Sequence, residues 1–159
     1  MSLFPVFQWV QNTELTTALR ASKWFFPVIA CVHLMGLALI GGSVLVVDLR
    51  LLGVGLRRQP VADVAREAQR WLRASLLVML PTGLLLFSSK AEQCYTLPAF
   101  WIKMTSLSLA LVFTFAVRRR VALAGDETRI GPVWSKLVAV ISLSLWSSVA
   151  IAGKWIGVP

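Results

Sequence analysis

From Trp24 to Val47 the chain carries no charged side chain unless His33 takes up a proton. A helix needs roughly 20 apolar residues to cross the hydrocarbon of a bilayer, and this run supplies them. His33 is the only histidine of the chain, and it lies inside the run. A polar, ionisable group at that depth is costly without a partner. Such a group is a functional hypothesis by default.

Three more apolar spans follow, at about Trp71–Phe87, Phe100–Val117 and Val133–Ile151, the last reaching towards Trp155. Backbone groups in hydrocarbon must be paired within their own segment, so all four spans are predicted to be helices. Pro81 falls inside the second span and predicts a kink there. Trp24, Trp71, Trp101, Trp134 and Trp155 stand at span ends, where aromatic belts form. Composition agrees. Only 14% of the residues are charged, against about 25% in soluble domains. A soluble domain is therefore excluded.

The net charge of +9 does not point to nucleic acid, because the basic residues sit between the apolar runs. Segment 48–73 holds Arg50, Arg57, Arg58, Arg66, Arg70 and Arg73. Segment 118–136 holds Arg118, Arg119, Arg120, Arg129 and Lys136. The positive-inside rule puts both segments in the cytoplasm. A bacterial inner-membrane location with N and C termini on the periplasmic side follows as the expectation. Short connections favour antiparallel neighbours, so the expected fold is all-α, an integral membrane up-down four-helix bundle. Residues 23–159 form that bundle. Residues 1–22, with an imperfect apolar stripe through Leu3, Phe4, Phe7, Val10 and Leu15, read as an interfacial amphipathic segment on the outer surface or a partner-docking helix. Residues 60–73 read as a cytoplasmic extension of the second helix, with alternating acidic and basic positions.

Gly36 shares a helix face with His33. Either it serves helix packing, or it makes room for a flat cofactor against the imidazole. Ala38 and Gly42 form a small-xxx-small pair, which allows close helix approach. His33 lies roughly 13 Å below the outer end of its helix, counting about 1.5 Å per residue. The same counting places Ser142 and Trp146 at comparable depth. It places Met79 and Met104 within roughly 6–8 Å of that level. Ser142, Trp146, Met79 and Met104 are thus expected around His33, with Ser142 or a backbone carbonyl a candidate acceptor for one ring nitrogen. Lys103 sits about one turn into the third span. It either snorkels to the interface or aims its ammonium at an acidic group of a ligand. Asp48 is expected to pair with Arg50 at the cytoplasmic face. Cys31 and Cys94 fit neither a disulfide framework nor a zinc pattern.

The string W-x-x-P-x-x-x-x-x-H-x-x-G-x-x-x-x-x-G-S-x-x-x-x-D-L-R-L-L-G runs from Trp24 to Gly53. With F-W-I-K at Phe100–Lys103, it resembles an uncharacterised bacterial family of small four-helix membrane proteins, a domain of unknown function. More remotely, a histidine in the first helix and a lysine early in a later one are similar to two other groups. These are the HemJ-type protoporphyrinogen oxidases, which bind haem b, and the copper-resistance D-type membrane proteins. The resemblance implies that His33 is an axial ligand of haem b and that Lys103 is its functional companion. With one histidine per chain, a bis-histidine haem would require two chains.

Two classes of function follow. One is a haem b-binding membrane protein in electron transfer or a small redox reaction, with His33, Gly36, Lys103, Met104, Ser142 and Trp146 around the cofactor and His33 on the metal. The other is a non-enzymatic accessory subunit of a membrane complex, in which His33 only hydrogen-bonds a neighbouring helix. Copper transport is the weaker third option, because Cys31, His33 and Met35 do not share a helix face. The expected partners are the lipid bilayer and a second copy or a larger membrane complex, with no nucleic acid.

Overall fold

The structure, a computed structural model, describes residues 4–55, 58–124 and 131–157. All of its regular elements among these residues are helical. Two short helices, α1 (Phe4–Gln11) and α2 (Glu14–Ala21), precede the long α3 (Phe25–Leu51) and α4 (Val61–Ser89). The short α5 (Ala91–Thr96) leads into α6 (Pro98–Phe113). A π-helical turn at Thr114–Arg118 then runs straight into α7 (Arg119–Leu123), and α8 (Pro132–Gly157) closes the chain.

Four stretches are long and apolar enough to cross a membrane: Phe25–Leu52, Val61–Ser89, Pro98–Leu123 and Val133–Ile156. They coincide with the four spans read from the sequence and run beyond several of their ends. The extra turns carry charge, as at Asp63, Arg66, Glu67 and Arg70 of α4. Two exposed i,i+3 ion pairs decorate that extension, Arg66–Asp63 at 2.8 Å and Arg70–Glu67 at 3.5 Å. Exposed pairs of this kind add little stability.

Helix ends follow local chemistry. Gly53 terminates α3 with φ of 77°, a left-handed backbone that a side chain would strain. This accounts for the glycine that ends D-L-R-L-L-G. Pro98 occupies the first turn of α6, where its missing N–H has no intrahelical partner to lose. α4 continues through Pro81.

The bundle is built from two antiparallel pairs, α3 with α4 and α6 with α8, joined mainly through α3 and α8. Ile40, Val44, Leu72, Leu76, Met79, Ala110, Trp146 and Val149 fill the middle. Val47, Leu51, Val64, Ala65, Ala122 and Ala139 form a second core towards the Arg-rich end.

The N-terminal segment is two helices rather than one, and both lie on protein. α1 packs mainly on α5, and α2 on α4 and α3. Phe7 meets Phe87 at 5.4 Å, Tyr95 at 5.2 Å and Phe100 at 6.2 Å between ring centroids, mostly edge to face. Gln11 Oε1 accepts the Glu92 N–H at 2.8 Å. This aromatic cap closes the end of the bundle where the described N- and C-terminal helices finish.

Candidate functional site

His33 is buried on α3 and faces the end of α4. Its Nδ1 lies 3.0 Å from Thr82 Oγ1. The Thr82 hydroxyl donates its own proton back to the helix, to Val78 O at 2.8 Å with Met79 O at 3.2 Å. When that proton goes to the helix, Thr82 Oγ1 accepts from the ring, and the tautomer with its hydrogen on Nδ1 leaves the lone pair of Nε2 open. Nε2 makes no hydrogen bond among the described residues. Fixing one ring nitrogen through a neighbour is how proteins orient an imidazole for ligation.

Two glycines let side chains settle here. A Cβ on Gly83 would stand 3.0 Å from His33 Cε1, tighter than most such contacts, so the ring would have to give way slightly. A Cβ on Gly153 would stand 3.6 Å from Lys103 Nζ. The Lys103 side chain thus runs across the α8 backbone towards the interior. It is within electrostatic reach of both His33 and Cys94. Among the described residues it has no ion pair and no hydrogen bond. Cys94 is buried on α5, outside the spans. Burial pushes its thiol above the usual range, against the opposing pull of Lys103 and Lys90.

The other sequence candidates stand elsewhere. A Cβ on Gly36 would meet Met79 Cβ at 3.4 Å and Ser75 O at 3.6 Å, so the glycine's free side is filled by α4 and serves packing. Met104 is 43% exposed and turns away from the bundle. Ser142 and Trp146 belong to a second cluster. The equal-depth count from the sequence measured α3 and α8 from opposite faces of the membrane. Helices longer than the hydrocarbon do not bring such counts together.

That second cluster is centred on Asp48, which is fully buried. Its carboxylate accepts Arg118 Nε at 2.7 Å, and Arg118 Nη2 donates to Val44 O at 3.1 Å. Asp48 therefore pairs with Arg118, not Arg50. Arg50 instead donates to Gln59 O at 2.9 Å. The π-helical turn carries both Thr114 and Arg118 inwards, and both are buried. Trp146 Nε1 donates to Thr114 Oγ1 at 3.1 Å. The Ser142 side chain lies against Asp48. Its hydroxyl and Asp48 Oδ2 are nevertheless buried without a well-formed hydrogen bond.

A family model matches residues 7–159, a stretch that includes both clusters. The chain belongs to DUF6644, a family of unknown function. The searches of curated proteins and of solved structures give no match. In this DUF6644 chain Thr82, Gly83, Gly153 and Arg118 were missed as site residues by sequence reasoning. A usable signal existed for the first two. In an antiparallel pair, residues equally far from the connecting loop meet, and the P-T-G at Pro81–Gly83 is the polar break in its span at the level of His33.

Proposed function

We propose that the protein binds haem b in a bacterial cytoplasmic membrane and serves electron transfer or a small redox reaction. The observation that carries this reading is the geometry of His33: Nδ1 lies 3.0 Å from Thr82 Oγ1, and Nε2 makes no hydrogen bond among the described residues. His33 Nε2 would hold the iron, and Lys103 would meet an acidic group of the cofactor. Haem iron with one imidazole ligand supplies one-electron chemistry. No group of three or more His, Cys, Asp or Glu side chains converges among the described residues. Met79 is committed to the apolar core and Met104 turns outwards. Any further ligand to the iron would come from a second copy of the chain or from outside it.

The test is an absorption spectrum of protein purified in mild detergent from haem-replete cells. A Soret band that shifts on reduction is expected, and His33→Ala should abolish it. Lys103→Gln should weaken retention of the haem by about 1–3 kcal/mol, as for a charge-assisted hydrogen bond. Absence of a Soret band rejects the reading. The accessory-subunit reading would then stand, favoured by the same His33–Thr82 bond acting as a tie between α3 and α4. In that case His33→Gln should be nearly neutral, because an amide can also bond across helices.

A further inference from the structure

Between α3 and α4 a groove of about 350 Å³ opens on the surface of the Arg-rich half. Ala38, Gly42 and Ala68 floor it, and Leu39, Val46 and Trp71 wall it. All three wall residues are exposed, and nothing lies within 4 Å of a Cβ built on Gly42. Gly42 therefore does not serve packing among the described residues.

The polar end of the groove is reached at Gln59 and Glu67. A guanidinium is fastened to each. Arg50 Nε donates to Gln59 O at 2.9 Å, and Arg70 Nη1 lies 3.5 Å from Glu67 Oε2. Glu67 is the charged side chain that lines the groove, and these two arginines stand beside its lining residues, two cations to one carboxylate. Depth fits a lipid as well. α3 has 27 residues, roughly 40 Å at 1.5 Å each, against roughly 30 Å of hydrocarbon. If Trp24 marks the far boundary, Ala38–Val46 spans the last stretch of hydrocarbon, and Arg50 stands at headgroup level.

We propose that this groove is a binding site for an acidic phospholipid. One acyl chain lies along Gly42 and Ala68, and the phosphate meets Arg50 and Arg70. Charge decides between this occupant and a second copy of the chain. Copies inserted the same way would bring one Arg-rich rim against another in a two-fold interface. Segment 50–73 holds Arg50, Arg57, Arg58, Arg66, Arg70 and Arg73 against only Asp63 and Glu67. Like charges would oppose such a pairing, whereas an anionic headgroup is attracted.

The experiment is native mass spectrometry of the purified chain, delipidated and titrated with phosphatidylglycerol or phosphatidylcholine of identical chains. A phosphatidylglycerol adduct should persist at activation energies that strip phosphatidylcholine. Gly42→Leu fills the floor at a position with free space, so it should fold and lose the adduct. Arg50→Gln and Arg70→Gln should each weaken phosphatidylglycerol binding roughly fivefold and leave phosphatidylcholine unchanged. Equal retention of the two lipids overturns the proposal, as does an adduct untouched by Gly42→Leu. A dimer abolished by Gly42→Leu in place of a lipid adduct assigns the groove to a second copy and also overturns it. None of these outcomes depends on whether the protein carries haem.

Discussion

Gly83 is where the position of His33 is most easily disturbed. A methyl there would press on Cε1 at 3.0 Å, and Thr82 fixes the neighbouring ring nitrogen. Gly83→Ala should therefore cost about 1–3 kcal/mol as overpacking, set against up to about 1 kcal/mol gained from helix propensity. The comparison is Gly41→Ala, where nothing lies within 4 Å and only the gain applies. Unfolding of the two variants in detergent should move in opposite directions. Equal stabilisation by both would show that the ring is not held against Gly83. Cys94 offers a second residue-level check. Burial holds its thiol protonated at pH values where an ordinary cysteine has begun to ionise. Alkylation of Cys94 should remain slow at pH 8–9 and accelerate only at higher pH. Because the Lys103 charge opposes that shift, Lys103→Gln should slow the reaction further. A rate unchanged by Lys103→Gln would separate the two groups.

At the scale of elements, the π-helical turn does most to set the Arg-rich half. Its Arg119 N–H reaches back to Thr114 O, so one residue more than usual fits into the turn. That rotates the following positions relative to a regular helix. Thr114 and Arg118 come inwards together, to Trp146 and Asp48. A 3.6-residue count along the span carries no such rotation, which is why Arg118 read as one more loop cation. The long helices themselves were legible, because uninterrupted apolar length in a bilayer leaves little choice but helix. Which face of each helix looks inwards was not. The apolar residues cover nearly all sides of α3, so periodicity gives no direction. The N-terminal segment shows the same limit. Its apolar stripe was visible, but its docking on α5 depends on aromatic residues distant in sequence, at Phe87, Tyr95 and Phe100. Arg118→Ala should destabilise the fold by about 3–5 kcal/mol, since it leaves the Asp48 carboxylate buried without its partner. Arg119→Ala, one residue on and exposed, should stay within about 0.5 kcal/mol. Thermal unfolding of the two variants in the same detergent checks the contrast. Equal effects would mean that the pair carries no structural role.

Across the whole molecule, the two polar clusters lie towards opposite ends, with the apolar layer of Ile40, Leu72, Leu76, Ala110 and Val149 in the middle. The His33 site thus belongs to the end with the aromatic cap, and the Asp48 site to the Arg-rich end. Which compartment each faces is a matter of orientation. Of the 16 basic residues, 11 lie in segments 48–73 and 118–136. An even number of spans returns the chain to the side from which it started, and α5 lies at that same end. The charge bias predicts that this end faces the periplasm and the Arg-rich end the cytoplasm. Alkaline phosphatase fused after Pro159 should then be active, and a fluorescent protein that matures only in the cytoplasm should stay dark at the same position. The opposite pair of results would invert the orientation without altering the helix pairing. It would place His33 nearer the cytoplasmic face, so that a haem held there would exchange electrons with cytoplasmic partners instead of periplasmic ones.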